Sequence, residues 1–328
     1  MGITSKEIAE ICGVSRATVD RALNGKDRIS PKTKEKILAV AKQMGYRKDL
    51  LARSLVKGKT MCIGVLVFDI RNYYFSQLVN TIELESRKND YFLYITLHEK
   101  NKEKEYQLIN SLVSRRVDGI LVCPVNKGPE FEKFLLDLPI PVVSIGNFIS
   151  PKIPYVGIDE ELGAKDATSL LISKGYEFII FVCPPLSDKK NENVYTHEHR
   201  AIGFQEQLNK NKQVGGVIID SWDYINEVDR ILESSNKRTA ILCSGDIYAL
   251  QILKHLKMRG VKVPQDVGIM GFDNIDMLEF VTPKLTTLSN EIDTVARTSV
   301  DMLIKLMNSE PTDTHVLIAH KIIDGDSI

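Results

Sequence analysis

No run of about 18 or more uninterrupted apolar residues occurs in this 328-residue sequence, so nothing in it reads as a membrane span. The opening Met1-Gly2-Ile3-Thr4-Ser5-Lys6-Glu7 lacks the charged-then-apolar layout of a secretory signal, and the cytoplasm is the expected compartment. The five cysteines form no CxxC pair, and four lie in or beside apolar runs; buried thiols in a reducing compartment are expected. P-loop, GxGxxG and GxSxG motifs are missing, which removes the usual signatures of nucleotide binding and hydrolysis. His197 and His199, two apart, would point to different faces of a helix and make a poor zinc pair. The scattered His98, His255, His315 and His320 read as surface residues. No catalytic residue, metal or cofactor is expected.

Net charge is also lacking, but only in the sum. Residues 1–60 hold 14 Lys+Arg against 6 Asp+Glu, a net of +8, and the remaining chain is acidic by the same amount. A basic head on an acidic body suggests that the head alone meets a polyanion.

The head is punctuated like three short helices. Thr4-Ser5-Lys6-Glu7 is a capping box, and Ile3, Ile8 and Ile11 give the first helix an apolar side. Cys12-Gly13-Val14 makes a turn, Ser15 caps a second helix running to about Leu23, and Asn24-Gly25 stops it. Ser30-Pro31 opens a third helix bearing Ile37, Leu38, Val40, Ala41 and Met44, which Gly45 ends. Two short helices around a tight turn, with a third behind them, form a helix-turn-helix layout. On the second helix Val19, Ala22 and Leu23 face inward, and Arg16, Ala17, Asp20, Arg21 and Asn24 face outward. Arg16 and Arg21 are of the type that forks onto guanine in a major groove. Residues 47–60 are a basic connector, too short to hold a helix alone.

From Met61 the pattern changes to apolar runs: 61–68, Tyr91–Leu97, Gly119–Val125, Pro141–Ile145, Phe178–Val182, Val214–Ile219, Thr239–Cys243 and Val267–Gly271, mostly separated by helical stretches such as Tyr74–Lys88 and Leu162–Lys174. Strands buried on both faces and alternating with helices predict parallel sheets covered on both sides. About four units precede Tyr155–Asp159 and about four follow, which gives two similar α/β lobes. Leu285–Leu288 and Val316–Ile323 are late strands able to cross back between them.

Ligands of such proteins sit at the carboxyl ends of the strands. The residues there are Asp69, then Tyr74 and Phe75; Asn147; Asp220 with Trp222; Asp246; and Asp273 with Asn274, while Arg200 opens a helix of the second lobe. Carboxylates, one arginine and aromatic faces suit a sugar or polyol: the carboxylates accept from hydroxyls, the arginine donates, and rings cover the C–H face.

Six blocks in order carry a resemblance that spans essentially the whole chain. They are Ile8–Ser15 with Thr18-Val19; Arg21-Ala22-Leu23-Asn24; Ala52-Arg53-Ser54-Leu55; Tyr155–Asp159; Arg200–Phe204; and Val263–Val267 through Gly271–Asn274, with Pro283–Thr287 after it. The chain thereby resembles the LacI/GalR family of bacterial transcription regulators. The resemblance implies an all-α helix-turn-helix headpiece (1–46), a hinge (47–60) and a two-lobed core similar to periplasmic binding proteins (61–328). The first lobe would take about 61–157 plus 287–314, and the second about 158–286 plus 315–328. By the same resemblance Arg16, Ala17 and Arg21 read bases, Thr4, Ser15, Thr18, Asn24 and Ser30 contact phosphates, and Leu55 wedges into the minor groove. It also supports Tyr74, Phe75, Arg200, Trp222, Asp246 and Asp273 as effector residues, beside Asp69 and Asn147.

Two positions depart from the family pattern. Asp20 replaces a usual Ser and would repel phosphates unless Arg16 neutralises it, and Lys48-Asp49 replaces the usual Pro-Asn ahead of the hinge. The expectation is a homodimeric, ligand-controlled repressor on an inverted-repeat operator. The alternative is the sugar-binding part of a transport system, for which a basic headpiece has no use.

Overall fold

A computed structural model describes residues 3–23, 25, 27–46, 58–186 and 192–328. Contacts divide the chain into two units, Met1–Thr60 and Met61–Ile328.

In the first unit, α1 (Ser5–Cys12) begins at the expected capping box: Glu7 N donates to Thr4 Oγ1 at 3.3 Å, and Thr4 N donates to Glu7 Oε2 at 2.7 Å. Gly13 ends it at φ 66°, the left-handed region that glycine enters without a Cβ penalty. Helix α2 (Arg16–Leu23) starts after Ser15, whose Oγ accepts from Thr18 N at 3.1 Å. Helix α3 (Pro31–Gln43) is capped by Ser30 with Pro31 in its first turn. Ile8, Ala9, Cys12, Val19, Ala22, Ile37 and Ala41 form the small shared core. Three expected core residues lie elsewhere: Ile11, Leu38 and Met44 are exposed. On a helix 3.6 residues per turn, Ile8, Ala9 and Cys12 already occupy the narrow face turned inward.

The second unit builds two six-stranded sheets. The first contains β1 (Cys62–Val67), β2 (Phe92–Leu97), β3 (Gly119–Val122), β4 (Val142–Ile145) and β5 (Tyr155–Ile158). Its helices are α4 (Tyr73–Lys88), α5 (Lys102–Ser114) and α6 (Pro129–Leu136). The second contains β6 (Phe178–Cys183), β7 (Gly215–Asp220), β8 (Thr239–Cys243), β9 (Val267–Asp273) and β10 (Thr286–Ser289), with α7 (Glu160–Ser173), α8 (Tyr195–Lys210), α9 (Tyr224–Ser234) and α10 (Asp246–Met258). After α11 (Ile292–Met307) come β11 (His315–Ile318) and β12 (Lys321–Ile323). The spatial orders are β2-β1-β3-β4-β5-β11 and β7-β6-β8-β9-β10-β12. All pairings are parallel except β10–β12.

The crossings differ from the expected lobe boundaries. Strand β10 stays beside β9 in the second sheet, so the return to the first lobe follows Ser289 instead of preceding Thr287. Strand β11 pairs with β5 in the first sheet, and only β12 re-enters the second, so the late run 316–323 is two strands in two sheets. An apolar run marks a strand but carries no label for the sheet that receives it, nor for burial: the edge strands β2 and β11 leave Phe92, Tyr94, Ile95 and Leu317 exposed, against the expectation of strands buried on both faces. Three crossings therefore join the lobes, after β5, β10 and β11. In both sheets the strand order reverses beside the first strand, β1 or β6, which places a crevice at the carboxyl ends of β1, β3, β6 and β8.

Candidate functional site

The outward face of α2 is as expected. Arg16, Ala17, Asp20 and Arg21 are exposed, and Val19 and Ala22 are buried. Arg16 Nε donates to Ser5 Oγ at 3.2 Å, and the Ser15 and Thr18 hydroxyls are 2.9 Å apart. Thr4, Ser15 and Ser30 all cap helix N-termini, where unpaired N–H groups and the helix dipole favour a phosphate. Asn24 and Leu55 lie outside the described residues.

In the core, the crevice is built around Arg200 on α8. Arg200 is 2% exposed. Nε donates to Glu160 Oε2 at 2.6 Å, Nη1 donates to the Ser244 carbonyl at 2.6 Å and lies 3.6 Å from Asp273 Oδ1, and Cζ stands 3.6 Å over the Phe272 ring. Asp273 ends β9 at φ 117°, a backbone region that L residues rarely adopt, and its Oδ1 accepts from Asn290 Nδ2 at 2.6 Å. Burial raises its pKa well above the ordinary value, while Arg200 opposes the rise. Glu160 is raised by burial too, again against Arg200.

Asp246, expected to face the effector, is fully buried behind this group. Its Oδ1 accepts from Thr287 Oγ1 at 2.7 Å and its Oδ2 from Ile275 N at 3.0 Å. A Cβ on Gly271 would fall 2.1 Å from Oδ1, so the carboxylate lies directly over that glycine. Asp246 fixes the turn after β9 and thereby holds Asp273; desolvation pushes its pKa up to about 7. Both Asp246 oxygens are thus engaged by the interior of the second lobe.

From the first lobe, Asp69 Oδ1 accepts from Arg71 N at 2.7 Å and Asn72 N at 2.9 Å, shaping the entry into α4. Tyr74 follows on the first turn. Burial raises its hydroxyl pKa, and the charges of Asp273 and Glu160 across the crevice add to that rise. Phe75 packs 5.1 Å from both Phe68 and Tyr74, supporting the Tyr74 ring as part of the core. Trp222, beyond β7, is 59% exposed with Lys100 Nζ 5.1 Å from its ring. Asp220 is exposed at the end of β7. Asn147 is engaged entirely by protein: its Nδ2 donates to the carbonyls of Pro124 and Asn193, and its Oδ1 accepts from Thr196 N and Oγ1.

Four residues near the crevice escaped sequence reasoning. Glu160 and Ser244 stand just past β5 and β8, and the rule applied to the other strand ends would have found them. Asn290 lies on a crossing and His197 on α8, where no local pattern marks them. His197 Nδ1 is 3.1 Å from Ser244 Oγ, and burial lowers its pKa to about 3. His98 is likewise no surface residue. It is fully buried, with Nε2 2.9 Å from the Cys123 carbonyl, and desolvation lowers its pKa to about 4. Among the described residues no group of His, Cys, Asp and Glu could hold a metal ion.

A helix-turn-helix headpiece followed by two crossed-over α/β lobes defines a class: DNA-binding regulators with a core of the periplasmic-binding type. Residues 4–49 match the model of bacterial regulatory proteins of the lacI family, and residues 168–328 match that of the periplasmic binding protein-like domain. Catabolite control protein A of Priestia megaterium is 32% identical over 98% of both chains, and that of Staphylococcus aureus (strain MRSA252) is 32% identical over the same shares. Among solved structures, the lac repressor dimer bound to operator and the anti-inducer ONPF has the same fold, with TM-score 0.87 and 21% identity over 100% of this chain and 99% of that one. A periplasmic binding protein/LacI transcriptional regulator from Alkaliphilus metalliredigens QYMF, complexed with D-xylulofuranose, matches with TM-score 0.71 and 27% identity over 81% of this chain and 98% of that one. The chain belongs to the lacI family and is a DNA-binding transcription regulator; the headpiece match favours this reading over the transport alternative. No helix among the described residues is long and apolar enough to cross a membrane.

Proposed function

We propose that this regulator is a homodimeric repressor of the cytoplasm whose operator affinity is set by a sugar or polyol bound between the lobes. One observation carries the effector reading: the charges of Arg200 and Asp273, buried together in the second lobe, act on the Tyr74 hydroxyl of the first. Arg200 donates to a hydroxyl, Asp273 accepts from one, and Tyr74 can do either, so a ligand touching all three favours one lobe spacing over another. The relative from Alkaliphilus metalliredigens, complexed with D-xylulofuranose, supports the chemical class. Arg16, Ala17 and Arg21 read bases, and Thr4, Ser15, Thr18 and Ser30 hold phosphates; Asn24 and the minor-groove residue Leu55 keep the roles expected from sequence.

The dimer reading rests on edge strand β2, where Phe92 is 74% exposed and Tyr94 and Ile95 are also exposed. An unpaired strand edge bearing large apolar side chains calls for a covering partner, and a two-fold operator calls for a second copy. A thermal-shift screen of monosaccharides and polyols tests the effector class. A hit that survives in Asp273→Ala at unchanged concentration would place the site elsewhere.

A further inference from the structure

Helix α8 carries Arg200 and His197, yet it starts without a cap of its own. Val194 occupies the N-cap position and has no side-chain acceptor. The first N–H groups are met from outside the helix: Tyr195 N donates to Asn193 Oδ1 at 3.2 Å, and Thr196 N donates to Asn147 Oδ1 at 3.2 Å. The Thr196 hydroxyl donates to the same Asn147 oxygen at 3.0 Å. Asn147 follows β4 and belongs to the first lobe, whereas α8 packs in the second. The opposite end of the Asn147 amide also spans the lobes, donating to Pro124 O at 3.0 Å and to Asn193 O at 2.9 Å. Asn193, 4% exposed, returns the contact: its backbone N–H donates to Val125 O at 2.7 Å and its Nδ2 to Phe148 O at 3.0 Å.

From this network we infer that Asn147 is a positioning residue that caps α8 from the opposite lobe, tying the order of the helix that bears Arg200 to the approach of the two lobes. When the lobes separate, the second N–H of α8 loses its side-chain acceptor, one turn before Arg200. A ligand that alters lobe spacing thus alters the first turn of α8, and the fraying of that turn feeds back on ligand affinity. The feedback rests on the reading of the crevice as the effector site; the cap itself does not.

Hydrogen exchange on the full-length protein, with no small molecule added, tests the cap. Asn147→Ala is expected to speed exchange of the amides of residues 195–199 roughly fivefold, as loss of an N-cap would, with α7 unchanged. Asn147→Asp keeps the acceptor and sets a negative charge at the helix N-terminus but loses the donations to Pro124 O and Asn193 O, so protection at 195–199 should fall less than in the alanine variant. Unchanged exchange at 195–199 in the alanine variant would overturn the inference. So would uniform acceleration across the second lobe. A failed sugar screen beside a positive exchange result would count against the effector class and leave the cap standing.

Discussion

Both lobes share one strand order, and both bury a glutamate, but they neutralise it differently. In the second lobe Glu160 faces Arg200 at 2.6 Å, with Asp273 beside the same guanidinium. In the first lobe Glu105, equally buried, is met by neutral donors: Val125 N at 3.2 Å, Asn126 N at 2.8 Å and Asn126 Nδ2 at 2.7 Å. A buried ion pair costs much desolvation and is stable only while both members remain. Burial favours the protonated form of Glu105, while the N–H groups that meet it favour the carboxylate and oppose that rise. The second lobe therefore concentrates charge around Arg200, and the first uses a titratable carboxyl to shape the loop 124–126, which in turn meets Asn193.

Removing Arg200 should break the comparison most severely. Arg200→Ala leaves Glu160 and Asp273 buried against each other, and the expected loss is about 3–5 kcal/mol, read by urea denaturation. A loss below about 1 kcal/mol would mean that the carboxyls are already protonated and the pair does not act as a salt bridge.

Glu105 should show the reverse behaviour. Burial lifts its pKa from 4.5 to about 7, so the native state keeps a proton that the unfolded chain releases. Stability contributed by this group therefore falls as pH rises from about 4.5 to about 7. Glu105→Gln should flatten that slope and be neutral or stabilising by about 1–3 kcal/mol at pH 8. Thermal midpoints across the pH range, in both proteins, decide it; a destabilised glutamine variant at pH 8 would show that the charge is needed.

The headpiece, outside both lobes, serves as the control for DNA binding. Arg16→Ala or Arg21→Ala should cost about 1–3 kcal/mol in operator affinity and relax base preference at one position per half-site. Wild-type log affinity should fall linearly with log salt. Equal loss on cognate and random duplex would restrict these arginines to phosphate contacts.

The smallest effect is expected at the mouth of the crevice. Lys100→Met removes the cation from the face of the exposed Trp222 and should cost no more than about 1 kcal/mol. Because Trp222 is the sole tryptophan, its emission should shift clearly nonetheless. An unshifted spectrum would mean that the pair does not persist in solution.

Particular residues show where reading the sequence succeeded and where it stopped. Thr4, Ser15 and Ser30 were legible as caps because a cap is settled within three residues. The strand runs were legible because short apolar runs that alternate with helical stretches mark the strands of a parallel sheet. Asp246 and Asn147 were legible as polar residues at strand ends but not in their roles. Their partners, Thr287 and Thr196, lie 41 and 49 residues away. His98 was misjudged because the two aromatic and carbonyl neighbours that enclose it come from other elements.

By itself, then, the sequence determined the short-range part of this protein. Helix starts and stops, the outward arginines of α2, the alternation of strand and helix, and the division of charge between head and body all arise from interactions within a few residues or from simple composition. Tertiary structure alone decided which carboxylates meet Arg200, which sheet receives β11, and that Asn147 serves a helix in the opposite lobe. Those outcomes depend on the burial of groups far apart in the chain. In a low-dielectric interior each buried donor or charge must find a partner wherever the fold brings one within about 3 Å, and chain order does not say where that is.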